Sequence, residues 1–188
     1  IECQSTDVGA QAVSNREYED RIQDEKRQIK LLDPAYLQIF VEEFEKLMNS
    51  LQENIRNIFN VPTNYFTLFL QGGATFQNTF IANNFDMRDK DLGCLVTGTW
   101  GKNTFDDFSK IRETKLIELS QDEIENFVEN GEDLKNVDYL QLTSNETING
   151  VQLREFNKIN HDSLLIDMSS DIGSYRFEWD NIAYIYAG

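Results

Sequence analysis

Apolar residues recur every three or four positions from Leu37 to Phe59: Leu37, Phe40, Val41, Phe44, Leu47, Met48, Leu51, Ile55, Ile58 and Phe59. Glu42, Glu43, Glu45, Asn49, Gln52, Glu53 and Asn57 fall between them. This spacing predicts an amphipathic helix laid on a core. Asn60-Val61-Pro62-Thr63-Asn64 then forces a turn. The pattern shortens after it. Phe66 to Leu70 is an apolar run with β-propensity, Gly72-Gly73 breaks it, and Phe76, Phe80, Ile81 and Phe85 return to helical spacing. The reading is strand, glycine turn, helix start.

Beyond this point short strands and helices alternate. Strands are predicted over Gly93 to Thr97, Lys115 to Leu119, Asp138 to Leu142, Leu164 to Ile166 and Ile182 to Tyr186. Helices are predicted over Trp100 to Ile111 and over Gln121 to Val128, the second capped by Ser120 with Glu123 at its third helical position. Thr143 to Thr147 is polar and reads as a loop. The alternation predicts an α/β fold, a mostly parallel sheet flanked by helices on both faces. Ligands of such sheets sit beyond the carboxyl ends of the strands. Ahead of this body, Ile1 to Asn15 reads as a loosely held arm and Arg16 to Lys30 as a charged, solvated helix, giving an N-terminal region 1–36 and a main region 37–188.

Composition narrows the classes. The chain has 188 residues, enough for one sizeable core, and 40% hydrophobic residues argue against wholesale disorder. A formal charge of −16 argues against sequence-independent binding to nucleic acid or anionic lipid. Cys3, Cys94 and the single histidine, His161, are too few for a disulfide framework or a metal site. Reduced cysteines fit cytoplasm or mitochondrial matrix. No apolar run is long enough to span a membrane. The first residue is Ile1 rather than Met, which fits a processed or cut terminus.

Four polar segments fall on strand ends: Gln71 to Thr75, Thr97 to Trp100, Thr143 to Thr147 and Asp167 to Ser170. The backbone N–H groups at the helix start after Gly72-Gly73 have no partner within the helix and suit a phosphate. Together the four segments offer a phosphate cradle, a flat ring, a hydroxyl and a carboxylate. Taken singly each has a structural reading: a tight turn, a core anchor at Trp100, a turn residue at Thr147, a helix cap at Asp167.

Asn-Val-Pro-Thr-Asn-Tyr, Leu-Phe-Leu-Gln-Gly-Gly-Ala-Thr-Phe-Gln, Thr-Gly-Thr-Trp-Gly-Lys, Thr-Ser-Asn-Glu-Thr-Ile-Asn-Gly, Asp-Met-Ser-Ser-Asp-Ile and Ile-Tyr-Ala-Gly occur in that order. From about Arg56 to Gly188 the chain thereby resembles the phosphoserine aminotransferase family, fold-type-I pyridoxal-phosphate enzymes of serine biosynthesis. The resemblance implies that region 37–188 is an incomplete large domain of that fold. It also implies that Gly73, Ala74 and Thr75 hold the cofactor phosphate. Trp100 would stack on the pyridine ring, Thr147 lie near the phenolic oxygen, and Asp167 pair with the ring nitrogen.

The departures from the family pattern are as specific. The Schiff-base lysine follows an Ala-Gly pair in the family, and the sequence stops at Gly188, so no catalytic lysine is assigned. A Ser-His-Arg segment expected near Gln38 to Phe40 is replaced by apolar residues. The cofactor would then be held non-covalently at best, or not at all. The first expectation is a non-catalytic relative serving as a structural or assembly subunit. An unpaired sheet edge would bind other protein subunits, and the resemblance adds the family's homodimer. The alternative is a fragment or split half of an active enzyme whose lysine lies on missing sequence. A nucleotide-phosphate binder has only the Gly-Gly turn behind it.

Overall fold

The computed structural model describes residue 20 and residues 34–84, 90–130, 134 and 136–188. The expected arm over Ile1 to Asn15 lies outside these residues, as do Cys3, Phe85 and, apart from Asp20, the charged helix over Arg16 to Lys30. The chain forms two compact units, residues 1–55 and 56–188.

Helix α1 (Pro34–Phe59) forms where the periodicity placed it. None of its residues is buried, and Phe40 and Leu47 are 67% and 65% exposed. This corrects the expectation of a helix laid on a core. A repeat of 3.6 residues fixes which side of a helix is apolar; it does not fix what covers that side. Among the described residues no helix is long and apolar enough to cross a membrane.

Residues 56–188 build a five-stranded sheet from β1 (Leu92–Val96), β2 (Thr114–Glu118), β3 (Tyr139–Thr143), β6 (Leu164–Asp167) and β7 (Ile182–Tyr186). The strand order is β2-β1-β3-β6-β7, and every neighbouring pair is parallel. The connecting helices are α2 (Gly73–Asn84), α3 (Thr99–Ile111) and α4 (Gln121–Asn130). Strands covered on both faces are apolar along their whole length, and β1 is buried at every position. On one face Leu95, Leu140, Leu142, Leu164 and Ile166 meet Ile124, Phe127 and Val128 of α4. On the other, Leu92, Leu165 and Tyr186 meet Ile81 and Ala82 of α2 and Phe108 of α3. The expected α/β class, with helices on both faces, is what the chain adopts.

Two local expectations are corrected. Phe66 to Leu70 joins no sheet, and Phe66 is 92% exposed. Propensity for a strand is realised only within a sheet ladder, and this run belongs to neither sheet of the described residues. Thr143 to Thr147 is not all loop. β3 runs to Thr143, and β4 (Asn145–Glu146) pairs antiparallel with β5 (Val151–Gln152) as a small hairpin closed by the tight turn at Gly150.

Other local signals hold. The Glu123 carboxylate at the start of α4 reaches back to the Ser120 backbone N–H, as the capping motif requires. The Ser120 hydroxyl donates to the same carboxylate, and the Glu123 N–H goes to the Ser120 carbonyl. The Asn60 to Tyr65 turn is tied to the sheet. The Arg56 guanidinium donates to the carbonyls of Pro62 (2.7 Å) and Tyr65 (2.8 Å). The Tyr65 ring packs on Trp179 at 4.9 Å between centroids, and the Trp179 indole donates to the Phe59 carbonyl at 2.9 Å.

Burial separates two leucines that look alike in the sequence. Leu165→Ala empties a fully buried site and is expected to cost about 2–5 kcal/mol. Leu68→Ala, at a position 65% exposed, is expected to stay within about 0.5 kcal/mol. Chemical denaturation of the two variants checks the difference.

Candidate functional site

Strand β1 is followed by α3 and β2 on one side of the sheet, whereas β3 lies on its other side. The chain direction therefore reverses between β1 and β3, and loops leaving neighbouring strands there diverge and open a crevice. A cavity of about 610 Å³ occupies this carboxyl edge, a volume in the range of small-molecule sites.

Of the residues singled out from the sequence, Ala74, Thr75, Trp100, Thr147 and Asp167 line this cavity. Gly73 does not line it, but opens α2 immediately before Ala74. The turn into α2 needs glycine. Gly72 has φ 107°, and a Cβ there would stand 2.6 Å from the Cβ of Phe76. No acidic residue occupies the first turn of α2, which leaves the helix dipole positive there, and Gly188 packs so closely that a Cβ on it would collide with the Ala74 nitrogen. Trp100 is half exposed, and its indole N–H donates to the Thr147 hydroxyl at 2.9 Å. A hydroxyl that accepts in this way still has its own O–H to give.

Asp167 ends β6 in register with Thr143 at the end of β3. Its Oδ1 accepts the Ser169 N–H (2.9 Å) and hydroxyl (2.6 Å). Burial pushes the Asp167 carboxyl above its usual range, the two Ser169 hydrogen bonds pull it back, and nearby Asp171 pushes it up again; the net shift is upward. A desolvated carboxylate of this kind attracts a cationic N–H group more strongly than one in water.

Several residues of the site have no individual role in the sequence reading. Thr143, which opens the polar segment Thr143 to Thr147, is one. It lines the cavity, and its buried hydroxyl has no hydrogen-bond partner among the described residues, so it is open to a group entering the cavity. Its signal was its place at a strand end beside Asp167. Asn78, one turn along α2 from Ala74, ends a buried polar chain. The Cys94 thiol donates to Gln141 (2.9 Å), Gln141 to the Tyr186 hydroxyl (3.5 Å), Tyr186 to Asn78 (3.2 Å) and Asn78 to Asp107 (3.2 Å). Burial pushes the Tyr186 hydroxyl well above its ordinary range, so it remains a donor. No sequence period marks such a chain, because its members come from different elements far apart in the sequence.

Lys110 is the only lysine among the described residues that line the cavity. Its ammonium pairs with Asp107 at 2.9 Å, and that hydrogen bond raises its proton affinity. A nucleophilic amine needs the opposite, and in this structure the Lys110 amine is engaged by Asp107. Lys102 pairs with Asp106 and lies 4.8 Å from the centroid of the Phe105 ring. Among the described residues no cluster of His, Cys, Asp or Glu is arranged to hold a metal ion.

Parallel strands, a crevice at the direction reversal and this set of lining groups define the class: the fold is that of the pyridoxal-phosphate-dependent aminotransferases, present in part. Within that class the chain is a relative of the phosphoserine aminotransferases. It is 36% identical over 151 residues to the phosphoserine aminotransferase of Geobacillus kaustophilus, covering 78% of this chain and 41% of that protein. A phosphoserine aminotransferase of Bacillus cereus is 31% identical over 148 residues, with 77% and 41% covered. Among solved structures, that of phosphoserine aminotransferase from Bacillus circulans subsp. alkalophilus superimposes with a TM-score of 0.67 at 33% identity, over 77% of this chain and 41% of that one. Pyridoxal-phosphate-bound phosphoserine aminotransferase from Trichomonas vaginalis gives 0.65 at 26% identity, over 77% and 44%. The chain thus spans about two-fifths of the length of these relatives. No protein-family model matches it.

The raised carboxyl carries a stability consequence. The folded state holds the Asp167 proton more tightly than the unfolded chain, so this group favours folding below its ordinary pKa of 3.8. That contribution is lost as pH rises through the raised value. Asp167→Asn keeps an acceptor for Ser169 and removes the charge. Its melting temperature relative to wild type is expected to improve between about pH 4 and pH 7, as thermal melts across that range would register.

Proposed function

We propose that this chain is the cofactor-holding portion of a phosphoserine aminotransferase, able to seat pyridoxal phosphate without a covalent bond. Catalysis would require a lysine amine from another part of such an enzyme. The observation that carries the reading is the convergence of Ala74, Thr75, Trp100, Thr147 and Asp167 on one cavity, with the Thr143 hydroxyl unpartnered beside them.

The residues fit the group. The N–H groups of Ala74 and Thr75, at the start of a 12-residue helix, would take the phosphate. Trp100 would set the ring plane, the Thr147 O–H would donate to the phenolic oxygen, and Asp167 would face the ring nitrogen. When bound, the cofactor supplies a ring that accepts electron density from the α-carbon of an amino acid. Asp167 serves that chemistry by holding a proton on the ring nitrogen, for which its desolvated place is suited. Lys110 and Asp107 neutralise one another on the α3 side, and Lys102 and Asp106 do the same.

A structural or assembly subunit is the second reading. The apolar stripe of α1, exposed among the described residues, favours it. The comparisons favour the first, since relatedness over about two-fifths of an aminotransferase is what a portion of that enzyme would show.

Titration with pyridoxine 5′-phosphate, which lacks the aldehyde and so cannot label surface lysines, tests the proposal. Wild type is expected to bind it reversibly with quenching of tryptophan fluorescence. Asp167→Ala and Trp100→Ala are each expected to weaken binding by about tenfold or more, the size of a lost charge-assisted contact or a lost stacking surface. Failure of the wild type to bind at millimolar concentration, or equal binding by both variants, would contradict it.

A further inference from the structure

Glu146 is completely buried, yet among the described residues no Lys or Arg side chain pairs with it. Its carboxylate is held by backbone: Oε2 accepts the Trp100 N–H at 2.8 Å and Oε1 the Gly101 N–H at 2.7 Å. These are first-turn N–H groups of α3, which have no partner inside the helix. A helix is ordinarily capped by a short polar side chain at its own N-cap. In α3 that position is Gly98, which has no side chain to give. The cap comes instead from the β4–β5 hairpin. Asn149 of the same hairpin accepts both the Thr99 N–H (2.8 Å) and the Thr99 hydroxyl (2.9 Å).

Space confirms how tightly the hairpin seats. A Cβ at Gly98 would lie 2.7 Å from both Glu146 Cδ and Asn149 Oδ1. Trp100 is gripped at two points, its backbone N–H by Glu146 and its indole N–H by Thr147, the next residue along the hairpin. Burying a carboxylate is costly unless its oxygens are fully engaged. A neutral Asn or Ser would cap a helix at less cost, but neither reaches from β4 to two adjacent N–H groups.

We propose that Glu146 is a positioning residue that caps α3 from the β4–β5 hairpin and thereby fixes the Trp100 ring and the Thr147 hydroxyl on the cavity wall. The proposal rests on the reading of the cavity as a phosphopyridine site for its functional consequence, and on the α3 geometry alone for its structural one. Glu146 does not touch the ligand. It acts through the orientation of two groups that do.

The test uses the Trp179→Phe background, in which Trp100 is the only tryptophan left. Glu146→Gln keeps the shape but turns an amide N–H₂ toward one of the backbone donors. The folded variant, checked by far-ultraviolet circular dichroism, is expected to expose Trp100 more to acrylamide quenching. Its affinity for pyridoxine 5′-phosphate should fall by about tenfold, the size of one lost charge-assisted hydrogen bond. Its affinity for inorganic phosphate should stay at the wild-type value, because Ala74 and Thr75 are untouched. Unchanged quenching together with unchanged pyridoxine phosphate affinity would overturn the proposal, and so would parallel loss of both affinities. If the variant does not fold, amide hydrogen exchange in the unmodified chain decides. Protected Trp100 and Gly101 amides are expected, and free exchange at both would overturn it. Absence of pyridoxine phosphate binding by wild type would instead remove the cavity reading, and quenching and exchange would still report on the cap.

Discussion

Parallel pairing of β1, β3 and β6 is the constraint from which the rest follows. It brings three carboxyl ends to one edge and fixes, through the register Thr143↔Asp167, which side chains stand together there. The order β2-β1-β3 then reverses the direction of the connections beside β1 and opens the crevice. Apolar side chains alternate above and below the sheet, so both faces are sealed by helices and only the edge is left for polar chemistry. The site is polar because at the sheet edge polar groups need not be buried in a core.

The hairpin β4–β5 adds a second level of order. Sheet pairing alone would place Trp100 at a helix start, where first turns fray for want of partners. Glu146 and Asn149 remove that freedom from outside the helix. The same hairpin carries Thr147, so one small element sets both the ring wall and the hydroxyl. The buried chain from Cys94 through Gln141 and Tyr186 to Asn78 performs a similar task on the α2 side. Polar groups inside a core must all be satisfied, and such networks specify one arrangement of the elements they join.

Much of this was legible in the amino-acid order. The strands read over Gly93 to Thr97, Asp138 to Leu142 and Leu164 to Ile166 form, each shifted or extended by one residue, as Leu92–Val96, Tyr139–Thr143 and Leu164–Asp167, and the polar residues at their ends marked the crevice. Local signals with a mechanism also held, as Ser120 and Glu123 show. Where the reading failed, the deciding contact was distant in sequence. Phe66 to Leu70 has the composition of a strand but belongs to neither sheet of the described residues. The stripe of α1 is as periodic as a core helix and is nowhere buried. Thr143 and Glu146 lie in the Thr-Ser-Asn-Glu-Thr-Ile-Asn-Gly motif, where the sequence reading gives them no role; only the register and the seated hairpin show what they do. A family resemblance found the groups that would face a ligand and was silent on those that hold them in place.

A crystal structure of the chain with pyridoxamine 5′-phosphate tests the account most directly. The expected result places the phosphate on the N–H groups of Ala74 and Thr75, the ring against Trp100 and the ring nitrogen at Asp167. Density for the ligand anywhere else, such as the 460 Å³ cavity beside His161 and Asp138 at the opposite edge of the sheet, with this crevice holding only solvent, would contradict it.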